Sequence, residues 1–136
     1  MLNTKQQNNL QLTARILLSA IFLISLFSKL TGLEGTIQFM TAKGIPLPSL
    51  LIWGAIATEL AGALALLTGY KMREAGILLA LYLVPTTLIF HNFWAMEGQQ
   101  FQMQLMSFMK NLSIIGGLLL LTSFPSQQTK PAIEQQ

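Results

Sequence analysis

The 136-residue chain contains no cysteine and no aspartate. Without thiols it cannot itself run dithiol exchange, ligate an iron–sulfur cluster or close a disulfide framework, so any redox chemistry needs a bound cofactor or a partner. Charge is scarce as well. Only 10% of residues are charged against 52% hydrophobic, where a soluble domain carries roughly 25% charged residues. Eight Lys and Arg with five Glu cannot coat a water-soluble core of this size, so lipid is the expected solvent for most side chains. The net charge of +3 does not point to nucleic acid. There is no basic run and no RNP-type or zinc motif, and the positives lie at segment ends as orienting flanks would.

Four apolar windows stand out, 13–32, 49–69, 75–94 and 105–124. Each is about 20 residues, or about 30 Å as a helix, which matches the hydrocarbon thickness of a bilayer. The expected fold is all-α: one integral membrane four-helix bundle over 13–124, up-down-up-down, flanked by polar tails at 1–12 and 125–136. Within them the stretches Met1–Asn9 and Ser126–Gln136 have too little apolar surface to order and read as short disordered segments. Punctuation agrees, with Gly44-Ile45-Pro46-Leu47-Pro48 before the second span, Thr68-Gly69 at its end and Pro125 after the fourth. The run Ile16 to Phe27 has the length of a signal-peptide core, but no small-residue cleavage site follows it, so it reads as a retained span.

Four spans put both termini on one side, together with the short linker 70–74, which makes the second and third spans antiparallel neighbours. Lys5, Arg15, Lys71, Arg73 and Lys130 then lie on the terminal side and Lys29, Lys43 and Lys110 on the other. Five against three favours cytoplasmic termini. Segment 92–104, with Trp94, Glu97 and several Gln, reads as interfacial on the outer side. A multi-pass protein of a bacterial cytoplasmic membrane is the expectation.

Glu59 is the most informative residue. A carboxylate at mid-span costs about 2.5–3.5 kcal/mol, and eight Leu or Ile between Leu50 and Leu67, at about −0.3 to −0.6 kcal/mol each, just offset it. Ala55, Gly62 and Ala63 share its face and let a neighbouring helix approach, so the carboxylate is expected to point into the bundle. By rise per residue Glu59 lies about 15 Å below the outer surface, Lys110 about 7 Å, and Lys29 and His91 about 4–5 Å. Lys110 is therefore the expected cation, with Lys29 next. A shared polar cluster of Lys29, Glu59, His91, Lys110 and Asn111 in the outer half follows. The bland alternative is that Lys29, Lys110 and Arg15 snorkel to headgroups, and Arg15 reads as an inner-side anchor.

Pro85, followed by Thr86 and Thr87, is a candidate hinge in the third span. One His cannot supply bis-histidine haem ligation. Met103, Met106 and Met109 have helical spacing that could offer thioethers to Cu(I), but flexible packing at the membrane surface is the better explanation, and no metal site is expected. Gly116-Gly117 reads as a close-packing device. No nucleophile–base pair, phosphate-cradling loop or paired carboxylates are present, so there is no self-contained catalytic motif.

Several of these residues recur in order: Arg15, Phe22 and Ser25-Leu26-Phe27-Ser28-Lys29, then Glu59-Leu60-Ala61-Gly62-Ala63 leading to Gly69 and Arg73, then Phe90-His91, then Lys110-Asn111-Leu112 running into Gly116-Gly117. In that order and spacing, over roughly Thr13 to Phe124, the chain resembles the DoxX family of small bacterial membrane proteins. One departure is Leu26, where family members often have Gly after the Ser, which is expected to loosen packing there. The resemblance implies termini in the cytoplasm. It also implies a kinship with membrane subunits of quinone-linked sulfur oxidation or of redox-protective complexes.

Three functional readings follow. The leading one is a membrane subunit of a redox or quinone-linked system, with quinone as the ligand, redox partner proteins, and Lys110, Asn111, His91 and Glu59 around the head group. The second is a small-solute transporter or exporter using Glu59 as a proton relay and Pro85 as hinge; four spans are few to enclose a pathway, so it requires a homo-oligomer. The third is a non-catalytic membrane scaffold in which Glu59 pairs with a lysine to fix helix register.

Overall fold

In the computed structural model, which describes residues 2–124, every regular element is helical. The helices are α1 (Thr4–Thr31), α2 (Leu33–Ala42), α3 (Pro48–Thr68), α4 (Met72–Phe90) and α5 (Gly98–Thr122), with a single 3-10 turn at Phe93–Ala95. Among the described residues α1, α3, α4 and α5 are long and apolar enough to cross a membrane. They alternate in direction, giving the expected four-helix membrane bundle.

Two elements differ from expectation. α1 begins at Thr4 rather than at 13, because Asn3 and Gln6 form a capping box: the Asn3 side chain accepts from the Gln6 N–H at 2.8 Å, and Gln6 Oε1 accepts from the Asn3 N–H at 2.9 Å. The polar segment expected to be a disordered tail is thus the first turns of the helix. Hydropathy marks where lipid begins, not where helix does. The second tail, 125–136, with Pro125 and Lys130, lies outside the described residues. The other difference is α2, a helix of 10 residues that is too short to span and sits across the distal end of the bundle, away from the described terminus.

The bundle is inside-out relative to a soluble one. Along α1 the buried side chains are Arg15, Ser19, Phe22 and Leu26, spaced by helical turns, while Ile16, Leu17, Ile24 and Phe27 are exposed. Polar groups must find partners inside because lipid offers none, and apolar groups are at ease outside. α1 packs on α3, α3 on α4 and α4 on α5, with a lighter contact from α5 back to α1; the backbones of α3 and α5 stay more than 8 Å apart at every α-carbon. α3 and α4 pack tightly at Gly62, where an added Cβ would lie 2.6 Å from the Leu79 side chain.

One core cluster, including Phe22, Ala63, Leu66, Leu79 and Leu118, fills the half nearer the termini. A second, of Leu26, Met40, Ile52 and Ile56, sits under α2. Leu26 therefore does not loosen the packing: it is 8% exposed and wedged between α2 and α3. The α3–α4 linker turns at Gly69, whose φ of +77° suits a residue without a Cβ.

Candidate functional site

Lys29 and Ser25 are one helical turn apart on α1 and face α3, so both reach Glu59. Glu59 Oε1 accepts three hydrogen bonds, from Lys29 Nζ at 2.8 Å, Tyr82 OH at 2.9 Å and Ser25 Oγ at 3.0 Å. Lys29 Nζ also donates to Ser25 Oγ at 2.6 Å. The carboxylate is almost fully buried, at 3% side-chain exposure against 20% for Lys29. Its second oxygen, Oε2, is enclosed and has no hydrogen-bond partner.

Sequence depth favoured Lys110 as the cation, and the structure corrects this. Lys110 is exposed on α5, and the α5 backbone makes no close approach to α3. Axial depth is only one coordinate; Lys110 is on the wrong side of the bundle, whereas the Lys29 stem descends along α1 directly beside Glu59. Tyr82 and Ser25 were not singled out as site residues. A tyrosine in mid-span, whose hydroxyl needs a partner, and a serine four residues before a lysine were the available signals.

The remaining polar residues form a separate group between α4 and α5. Asn111 Nδ2 donates to Thr87 Oγ1 at 3.0 Å, and His91 Nδ1 lies 2.9 Å from Gln104 Oε1. A cavity of about 1140 Å³ joins the two groups: Lys29, Glu59, Tyr82, His91 and Asn111 all line it, while Lys110 lines a shallower neighbouring groove. Four of the five expected cluster residues thus share one space. Pro85 also lines it, within an α4 that runs unbroken from Met72 to Phe90. The rim is tied together by Lys43 Nζ, which donates to Asn92 Oδ1 at 2.7 Å, and by Phe39 stacked on Phe90 at 5.4 Å.

Arg15 stands apart, at the end near the termini. It is an anchor for protein rather than for headgroups: Nε donates to the Leu66 carbonyl at 2.6 Å and a terminal nitrogen to the Leu67 carbonyl at 2.5 Å. Those carbonyls belong to the last turn of α3, where backbone acceptors lack helical partners and a cation is favoured. Gly69 makes room for it, since a Cβ there would lie 2.8 Å from the guanidinium. Of the two small residues on α5, Gly117 meets Leu18 at ordinary contact distance and Gly116 faces open space. Met103, Met106 and Met109 are exposed on the outside of α5.

Four apolar spans around one interior acid–base cluster define a small multi-pass membrane protein. The DoxX family model matches residues 10–92, and the chain belongs to that family. The match ends before α5, so Lys110-Asn111 and Gly116-Gly117 lie beyond it. The chain is 37% identical to the inner membrane protein YphA of Escherichia coli over 112 residues, 82% of this chain and 80% of that protein. It is 39% identical to the inner membrane protein YqjF of the same organism over 110 residues, 81% of this chain and 79% of that one. A protein of Bacillus subtilis named "Putative oxidoreductase CatD" is 38% identical over 73 residues, 54% of this chain and 53% of the other. No solved structure matches. The fold and these relatives make the chain a multi-pass protein of the inner membrane.

Proposed function

We propose that this protein is the membrane subunit of a redox system and binds the head group of a reduced quinone in the cavity beside Glu59. The observation that carries the reading is a buried carboxylate satisfied on one oxygen and unsatisfied on the other. An unpaired buried acceptor is costly unless something completes it. Glu59 itself lines the cavity and the terminal torsion of a glutamate is broad, so a ligand group seated there can complete the free oxygen.

Lys29 uses two of its three N–H donors on Ser25 and Glu59. The best-matched ligand group both accepts from Lys29 and donates to Glu59. A quinol hydroxyl does both, a quinone carbonyl only the first. Quinol oxidation releases two electrons and two protons: a partner protein takes the electrons, Oε2 takes the proton of this hydroxyl, and the proton of the other hydroxyl leaves through the cavity, which His91 also lines. The relative named as an oxidoreductase supports a redox setting, and partner proteins supply the electron carrier in this reading.

We also infer cytoplasmic termini. Among the described residues, setting aside Arg15 and Lys29, which the fold holds internally, Lys5, Lys71 and Arg73 remain near the termini against Lys43 and Lys110 at the distal end.

The test is equilibrium binding of a tail-less methyl-substituted benzoquinol to the protein in nanodiscs. Wild type is expected to bind, and Glu59→Gln to bind at least about tenfold more weakly, a loss of about 1.4 kcal/mol, with its thermal melt checked alongside. Absent binding by wild type, or equal affinity in the variant, would sink the reading.

A further inference from the structure

Gly54 on α3 lines the same cavity as Glu59, yet it is exposed, and a Cβ built on it would meet nothing within 4 Å. Leu51 on α3 and Pro85 and Ile89 on α4 share both properties, lining the cavity while exposed, and Thr58 lines it half-buried. Side chains that belong at once to the interior and the surface mark a place where the two meet. Nearer the termini the same pair of helices is shut by Gly62 against Leu79. The opening is therefore confined to the distal half, at the depth of the hydrocarbon and next to Glu59.

Its lining is apolar in effect. Thr58 Oγ1 donates to the Gly54 carbonyl at 2.8 Å and Thr86 Oγ1 to the Tyr82 carbonyl at 2.8 Å. Both hydroxyls are thereby satisfied within their own helices, and Pro85 has no N–H to offer. A wall of this kind next to a polar pocket suits an amphiphile whose head is inside and whose tail leaves sideways into lipid.

We propose that the distal α3–α4 seam is a lateral portal, and that the ligand is a lipid quinol whose hydrocarbon tail lies in it between Gly54 and Ile89. The proposal rests on the head-group reading above and adds the route and the requirement for a tail.

The experiment compares a tail-less benzoquinol with its decyl derivative on wild type, Gly54→Leu and Gly116→Leu in nanodiscs. Both glycines face open space, so both variants are expected to fold, and Gly116 does not line the cavity. Gly54→Leu should weaken decyl binding at least tenfold and leave the tail-less quinol within twofold, with Gly116→Leu changing neither. Equal decyl affinity in wild type and Gly54→Leu overturns the portal while leaving the head site standing, as does equal loss of both ligands. Binding of neither quinol to wild type defeats the head-group reading and the portal with it. A phospholipid retained by wild type in native mass spectrometry, lost in Gly54→Leu and not displaced by decyl quinol, gives the seam an acyl chain instead and overturns the quinol assignment.

Discussion

Glu59 and Lys29 can be read as a binding pair or as a register lock, and substitutions separate the two. Removing one member of a buried ion pair strands the other and costs about 3–5 kcal/mol, whereas removing both is often nearly neutral. Lys29→Met should therefore destabilise the protein, and adding Glu59→Gln should recover much of the loss, a coupling above about 1 kcal/mol in a double-mutant cycle read by unfolding in detergent. The same cycle run with Lys110→Met in place of Lys29→Met should be additive, since Lys110 is exposed and Glu59 takes its bonds from Ser25, Lys29 and Tyr82. Recovery with Lys110 instead would contradict the geometry. Arg15 offers a second test. Its two bonds to the end of α3 use separate nitrogens of one planar fork, which lysine cannot reproduce. Arg15→Lys should cost roughly 1.5–3 kcal/mol by loss of a charged hydrogen bond; an unchanged melting curve would mean that any inner-side cation serves.

Helix pairs carry the next level of specificity. At the α3–α4 crossing Leu79 is fully buried and a methyl on Gly62 would overlap it, so Gly62→Ala should destabilise by about 1–3 kcal/mol through overpacking. Leu79→Ala placed on top should relieve part of that loss, and a melt showing two independent losses would argue that the crossing is looser than described. The four spans were legible because twenty apolar residues in a row have few other readings. α2 was not, since ten residues fall below any span length and its first turn, at Gly32, has no side-chain cap to announce it. Glu59 was legible as a charge at mid-depth. Its partner was not, because rise per residue yields depth along the bundle and says nothing of direction around it, and Ser25 and Tyr82 passed unnoticed because hydroxyls are tolerated almost anywhere along a span.

For the molecule as a whole, the end that faces the cytoplasm decides whether the cavity opens near the outer or the inner surface. The described cations other than Arg15 and Lys29 lean toward the terminal end, and acidic residues contribute little to that bias. Glutamates are therefore safe places to insert a reporter without turning the molecule over. The chain has no cysteine of its own, so a single introduced thiol reports alone. Glu74, exposed at the start of α4, and Glu97, exposed beyond its far end, sample the two sides. With cytoplasmic termini, an impermeant maleimide added to intact cells, with the outer envelope made permeable, should label Glu97→Cys and spare Glu74→Cys until the inner membrane is opened. The reverse pattern would invert the orientation and bring Glu59's cavity toward the cytoplasmic leaflet, so that a quinol would have to be met from that side. Equal labelling of both sites in intact cells would instead indicate mixed insertion, the outcome expected only if the remaining cations were too evenly divided to orient the bundle.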